Sequence, residues 1–127
     1  MTLRCVIVDD NPVVLRAASD LLETQGVHVV GVAGTGEEAL AIVNELEPDV
    51  VLVDIVLGAE SGFDVARRLV DGIDTAGSRT ILISTRDEAD FADLIAASPA
   101  IGFLPKSRLS AAAIRRLLAR ARAEGGY

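Results

Sequence analysis

An α/β fold built on a doubly wound parallel sheet is what the sequence predicts, and three observations predict it. Apolar runs of strand length recur along the chain, stretches of helical length separate them, and the chemically unusual residues gather where the runs end. Alternation of this kind implies parallel strands joined by right-handed crossovers, with helices on both faces. Ligands of such sheets bind beyond the carboxyl ends of the strands, near the point where strand order reverses.

The runs are Arg4 to Val8, Val27 to Ala33, Asp49 to Val53, Arg79 to Ser84 and Ala100 to Leu104. Each is rich in Val, Ile or Leu with little polar alternation, as strands covered on both faces should be. The first helix is expected after Asn11, an N-cap with Pro12 at the first helical position; its apolar face is read as Val13, Val14, Ala17, Leu21 and Leu22, and Gly26 ends it. Thr35-Gly36-Glu37-Glu38 has the Thr-x-x-Glu spacing of a capping box and opens the second helix, which ends before Pro48. The third covers Gly62 to Val70, and the fourth Asp87 to Ala97, stopped by Ser98-Pro99. A fifth follows Ser110 to about Ala123, with Gly125-Gly126 marking its end.

A chain of 127 residues fits one domain, and a composition half hydrophobic argues against disorder. The 12 Lys and Arg against 19 Asp and Glu give a formal charge of -7, which repels nucleic acid over most of the surface. The N-terminus reaches Asp9 too soon for a signal peptide, and no window approaches the ~18 to 20 apolar residues of a membrane span. A cytoplasmic protein is expected. The single cysteine, Cys5, reads as a small buried hydrophobe, and the single histidine, His28, as a core or edge side chain of the second strand.

At the strand ends stand Asp9 and Asp10, then Asp54, then Ser84 and Thr85, and finally Lys106 after Pro105. Convergence of these groups would put three carboxylates, a hydroxyl and an ammonium in one cleft. Carboxylates held together repel, and a raised pKa or a bound cation relieves them. Oxygen ligands in small number suit Mg2+, which keeps several waters and accepts one or two carboxylates plus a phosphate. A lysine and a hydroxyl opposite complete a site for the oxygens of a phosphoryl group, so the chemistry suggested is phosphoryl transfer onto a carboxylate. Such a nucleophile needs no histidine base.

In this order and spacing, "VIVDDNP", "VLVDIVLGAESGFDV", "ILISTRD" and "GFLPKS" resemble the receiver domains of two-component response regulators, over essentially the whole chain. The stretch "GAESGFDVARR" also resembles actinobacterial regulators that often carry a DNA-binding domain. The resemblance implies a flavodoxin-like (βα)5 sheet of order 2-1-3-4-5, filling residues 1–127 as a single receiver domain without an output domain. It implies that Asp54 is the phosphoacceptor, served by the phosphohistidine of a histidine kinase or phosphotransfer protein. Asp10 and Asp54 would ligate Mg2+ directly, Asp9 through a metal water, and the Val56 carbonyl would add another oxygen. Ser84, the Thr85 backbone N–H and Lys106 would meet the phosphoryl oxygens, and Ser84 with Phe103 would form the switch. Such a protein is a signalling switch rather than an enzyme, although it catalyses its own phosphorylation and hydrolysis.

Some positions depart from the family pattern. Gly58 stands where proline is common, so the loop after Asp54 is expected to take a backbone angle closed to proline. Thr85 replaces a smaller residue and is expected to narrow the path into the site. Val56 and Arg86 occupy the two tuning positions flanking the acyl phosphate; an apolar Val56 cannot orient an attacking water, which predicts slow self-dephosphorylation. Arg115, Arg116, Arg120 and Arg122 read either as a solvated helix face or as partners of Glu88, Asp90 and Asp93 in a homodimer through the fourth helix, fifth strand and fifth helix. Output would come from an unknown partner protein, from a relay, or from a domain in a longer chain.

Rival readings are a degenerate receiver that acts as an interaction module without being phosphorylated, and a Mg2+-dependent phosphatase of the haloacid dehalogenase type. The latter wants an aspartate where Val56 stands. A flavin-binding flavodoxin would want a hydroxyl-rich loop after the first strand.

Overall fold

A computed structural model describes residues 2–72 and 79–125. Among these residues seven strands and five α-helices follow in order: β1 (Leu3–Val8), α1 (Pro12–Thr24), β2 (Val27–Ala33), α2 (Gly36–Leu46), β3 (Val50–Asp54), β4 (Val56–Leu57), β5 (Glu60–Ser61), α3 (Gly62–Gly72), β6 (Arg79–Ser84), α4 (Ala92–Ala97), β7 (Gly102–Pro105) and α5 (Ala111–Gly125). The main sheet has the order β2-β1-β3-β6-β7, all parallel, which is the predicted 2-1-3-4-5 arrangement of the five long runs. Gly126, read as part of the stop of the last helix, lies outside the described residues.

Period-two geometry sends alternate side chains of each strand to opposite faces, and both faces are covered. Val6, Val8, Val51, Val53, Leu82 and Phe103 pack with Ala39 and Val43 of α2 and Val65, Ala66 and Leu69 of α3. Their neighbours Cys5, Ile7, Val50, Leu52, Ile81 and Ile83 pack on the other side with Ala18 and Leu22 of α1 and Ala111 and Ile114 of α5. Each fully buried Val, Leu or Ile contributes about 1.5 to 3 kcal/mol, so the two layers hold the strand ends rigidly in register. Cys5 is fully buried, which pushes its thiol up to about 12 and keeps it un-ionised at neutral pH. His28 lies exposed on the edge strand, its Nδ1 3.5 Å from Glu23 Oε2.

The structure differs from the sequence reading at several places. On α1 the buried residues are Ala18 and Leu22, with Leu15 packed beside them, whereas Val13, Ala17 and Leu21 are exposed. Apolar residues fill so much of that helix that periodicity alone does not choose the face; contact with the sheet does. The expected fourth helix from Asp87 is a 3-10 turn over Glu88–Phe91 followed by α4. Asp87 makes no side-chain capping bond, and in that first turn only Phe91 reaches the core while Glu88, Ala89 and Asp90 stay exposed. The last strand starts at Gly102 rather than Ala100. The small antiparallel pair β4-β5 was not anticipated.

Candidate functional site

Chain order at the ends of β1 and β3 builds the acidic half of the site. Asn11 caps α1, its Oδ1 accepting from the Val13 and Val14 amides at 2.9 and 3.4 Å, so neither Asp9 nor Asp10 is occupied as the cap. Asp9 is fully buried, and its Oδ1 accepts from the Asn11 amide at 2.9 Å. Asp10 is exposed. Asp54 closes β3, one position further into the strand than the sequence suggested, and is 6% exposed. One oxygen from each of Asp9, Asp10 and Asp54 falls within 4.8 Å of the others.

Lys106 supplies the cationic half. It follows Pro105 at the end of β7, in a 3-10 turn covering Lys106–Arg108. Its Nζ donates to Asp54 Oδ2 at 2.9 Å and forms an ion pair with Asp9 Oδ2 at 2.7 Å. Burial pulls its pKa down, but the two carboxylates outweigh that effect and hold it above its ordinary value of 10.5. Burial pushes the Asp54 carboxyl up, against the Lys106 ammonium and the Val56 amide that favour its charged form, and the net direction is up. Three carboxylates facing one ammonium leave the cluster with a surplus of negative charge.

These observations bear on whether a cation fits. The donors are all oxygen, Asp10 is exposed, and Asp9 Oδ2, although beside Lys106, makes no well-angled hydrogen bond. A hard divalent cation held by few carboxylates matches that set. Asp9, Asp10 and Asp54 are the residues that could hold it.

Ser84 ends β6 and is 2% exposed, and its Oγ accepts from the Arg86 amide at 3.0 Å, which leaves its hydroxyl proton to donate elsewhere. Asp54 pairs with Ile83 across the sheet, and Ser84 with Pro105, so the register puts Ser84 between the strands that carry Asp54 and Lys106. Thr85 and Arg86 are both exposed beyond the strand end. Phe103, across from Leu82, is 7% exposed and already sits in the core layer that α2 and α3 help cover.

The loop after Asp54 folds as a hairpin. Val56 and Leu57 pair with Ser61 and Glu60, and Gly58 has φ +55°. Positive φ at the first central position alone is the pattern of a II′ turn, a conformation closed to proline as the sequence suggested. Asp54 Oδ1 accepts from the Val56 amide at 3.1 Å, and the Val56 side chain is 55% exposed at the mouth of the site. At the far end the Gly62 amide donates to the Ile55 carbonyl at 2.7 Å. Glu60 was passed over in the sequence, yet its Oε1 accepts from the Gly36 amide at the start of α2 at 3.0 Å. A Gly-x pair between short apolar and polar residues, here Gly58-Ala59, is the signal that could have revealed this hairpin.

The parallel α/β sheet and the acidic cluster opposite a lysine at its carboxyl edge define a class, and comparison with known proteins agrees with it. Residues 5–119 match the response regulator receiver domain family, and the chain belongs to that family. It is 35% identical over 85 residues to the protein PilH of Pseudomonas aeruginosa, covering 67% of this chain and 69% of that one. The response regulator GacA of the same organism is 28% identical over 105 residues, which are 82% of this chain and 48% of GacA, so the chain spans about half the length of that relative. Among solved structures, a two-component response regulator of the LuxR family from Aurantimonas sp. SI85-9A1 superposes with a TM-score of 0.80 at 28% identity, covering 94% of this chain and 87% of that one. The chain is thus a receiver domain of two-component signalling. Among the described residues no helix is long and apolar enough to cross a membrane.

Proposed function

We propose that the protein accepts a phosphoryl group on Asp54 from a histidine kinase or phosphotransfer protein, in the presence of Mg2+, and that the modified domain changes its binding to an output partner. The observation that supports this best is the opposition of Asp9, Asp10 and Asp54 to Lys106, whose Nζ lies within 2.9 Å of both Asp9 Oδ2 and Asp54 Oδ2. A carboxylate oxygen of Asp54 attacks phosphorus as the donor's P–N bond breaks, and the electron pair leaves on the imidazole nitrogen. The product is an aspartyl phosphate. Lys106 then exchanges part of its contact with Asp54 for a phosphoryl oxygen, while the Ser84 hydroxyl and the Thr85 amide serve the others. Mg2+, held by Asp10, Asp54 and the Val56 carbonyl with Asp9 behind a water, would neutralise charge on the transferring group.

The protein works as a switch rather than as a turnover enzyme. Hydrolysis of the aspartyl phosphate by water returns it to the starting state, and the exposed apolar Val56 offers that water no hydrogen bond. Phe103 is the aromatic member of the switch and has no hydroxyl, so its position is communicated by packing alone. Dimerisation through α4, β7 and α5 is open to the exposed Glu88, Asp90 and Asp93 and to the exposed Arg115, Arg116, Arg120 and Arg122.

Calorimetric Mg2+ titration of the native protein and of Asp10→Asn tests the reading. Saturable binding at millimolar or lower concentration, weakened at least tenfold in the variant, supports it. Native protein that binds no Mg2+ would point instead to an interaction module that works without phosphorylation. Steady turnover of a small phosphate ester would favour the phosphatase class, and none is expected.

A further inference from the structure

The hairpin that follows Asp54 reaches across to a different helix. Glu60 lies directly opposite Leu57 in the hairpin, and its Oε1 accepts from the Gly36 amide at 3.0 Å. Gly36 is the first residue of α2, whose early amides have no partner inside the helix. The Thr35 hydroxyl satisfies another of them, accepting from the Glu38 amide at 3.1 Å. Glu38 in turn takes the Gly34 amide at 2.9 Å rather than closing a capping box on Thr35. Glu60 therefore serves as a second cap of α2, supplied from 24 residues away.

Two further contacts make this a fitted joint. Arg68 of α3 holds the other carboxylate oxygen, Nη1 to Oε2 at 3.7 Å, so the carboxylate bridges α2 and α3. A methyl on Gly36 would lie 2.7 Å from Glu60 Oε2, 2.9 Å from Val65 Cγ2 and 3.0 Å from Arg68 Nη1. Any side chain at position 36 would force the carboxylate and its neighbours Val65 and Arg68 to shift. The hairpin itself turns on Gly58, a residue with little backbone stiffness of its own.

We propose that Glu60 is a positioning residue: by capping α2 it clamps the hairpin in place and so fixes the Val56 carbonyl and the Val56 amide that orients Asp54. The clamp supplies from outside the loop the rigidity that Gly58 cannot supply within it. The role in cation binding rests on the function proposed above, whereas the tether itself does not.

The test combines amide hydrogen exchange with Mg2+ titration on the native protein, Glu60→Ala, Glu60→Gln and Gly36→Ala. Glu60→Ala is expected to speed exchange at Gly36 and in the hairpin by roughly tenfold, the usual weight of a charged cap, and to weaken Mg2+ binding several-fold. Glu60→Gln keeps an acceptor for the Gly36 amide and is expected to recover most of both. Gly36→Ala, which displaces the carboxylate without altering the loop sequence, is expected to reproduce the alanine variant. Faster exchange with unchanged Mg2+ affinity would overturn the positioning role, and unchanged exchange at Gly36 would overturn the clamp. If the native protein binds no Mg2+, the proposed function fails and the positioning role with it, while exchange still reports the tether.

Discussion

Replacing Lys106 by methionine removes the ammonium that faces the acidic cluster while keeping all but the last atom of the side chain's length. In the native site Nζ lies 2.7 Å from Asp9 Oδ2 and 2.9 Å from Asp54 Oδ2, with side-chain exposures of 17%, 1% and 8% for the three residues. Breaking a wholly buried ion pair costs about 3 to 5 kcal/mol, and an exposed pair contributes at most about 1 kcal/mol. Asp10 opens the cluster to water on one side, so Lys106→Met is expected to lose about 2 kcal/mol at pH 7 without metal. In urea that is a midpoint lower by roughly 1 M.

The sign of the pH dependence follows from the two groups. Lys106 has a folded pKa above 10.5, so its contribution is complete below that value and is lost as pH rises through the folded one. Asp54 also has a folded pKa above its ordinary 3.8. Its contribution is therefore most favourable below 3.8 and is lost as pH rises through the folded value. Without Lys106 the Asp54 pKa moves further up, because the ammonium was opposing its rise. The deficit of Lys106→Met should then shrink from pH 7 to pH 5, and Asp54→Asn added to it should restore part of the loss. Urea titrations at both pH values in the presence of a chelator measure this. A deficit equal at the two pH values, or no deficit at pH 7, would refute the electrostatic account of the cluster.

Mg2+ at one hundred times its dissociation constant should stabilise the protein by about 2.7 kcal/mol, or roughly 10 °C in Tm, and Asp10→Asn should lose most of that rise in a thermal melt. Gly62→Ala should lower stability by about 3 kcal/mol or more in chemical denaturation, since its methyl would strike the Asp54 carbonyl oxygen and lie 2.7 Å from Ile55 Cα, both backbone atoms that cannot step aside. Val56→Asn, which gives the mouth of the site a group able to orient water, should shorten the life of the phosphorylated form at least several-fold by time-resolved mass measurement. An unchanged lifetime would remove Val56 from control of hydrolysis.

Much of this molecule was legible in its sequence because several local signals agreed. Asn11-Pro12 opens α1 as read, and Thr35 caps α2 although Glu38 does not close the expected box; alternation of buried strands with helices gave the parallel sheet, and the family resemblance gave its order. Asp54 and Lys106 stood out because charged residues directly after apolar strands have few structural excuses. What escaped depended on contacts between distant parts of the chain. The face of α1 was chosen by the sheet, since Val13, Val14 and Leu15 are equally apolar on paper. Glu60 looked like an ordinary loop carboxylate, and only the fold reveals that the amide it satisfies belongs to Gly36.

Phosphorylation of Asp54 is the central claim, and intact mass after incubation with acetyl phosphate, with and without Mg2+, tests it most directly in the native protein and in Asp54→Asn. The account predicts a gain of one phosphoryl group that requires both Mg2+ and Asp54. An adduct that persists in Asp54→Asn, or native protein that gains no mass with Mg2+ present, would contradict it.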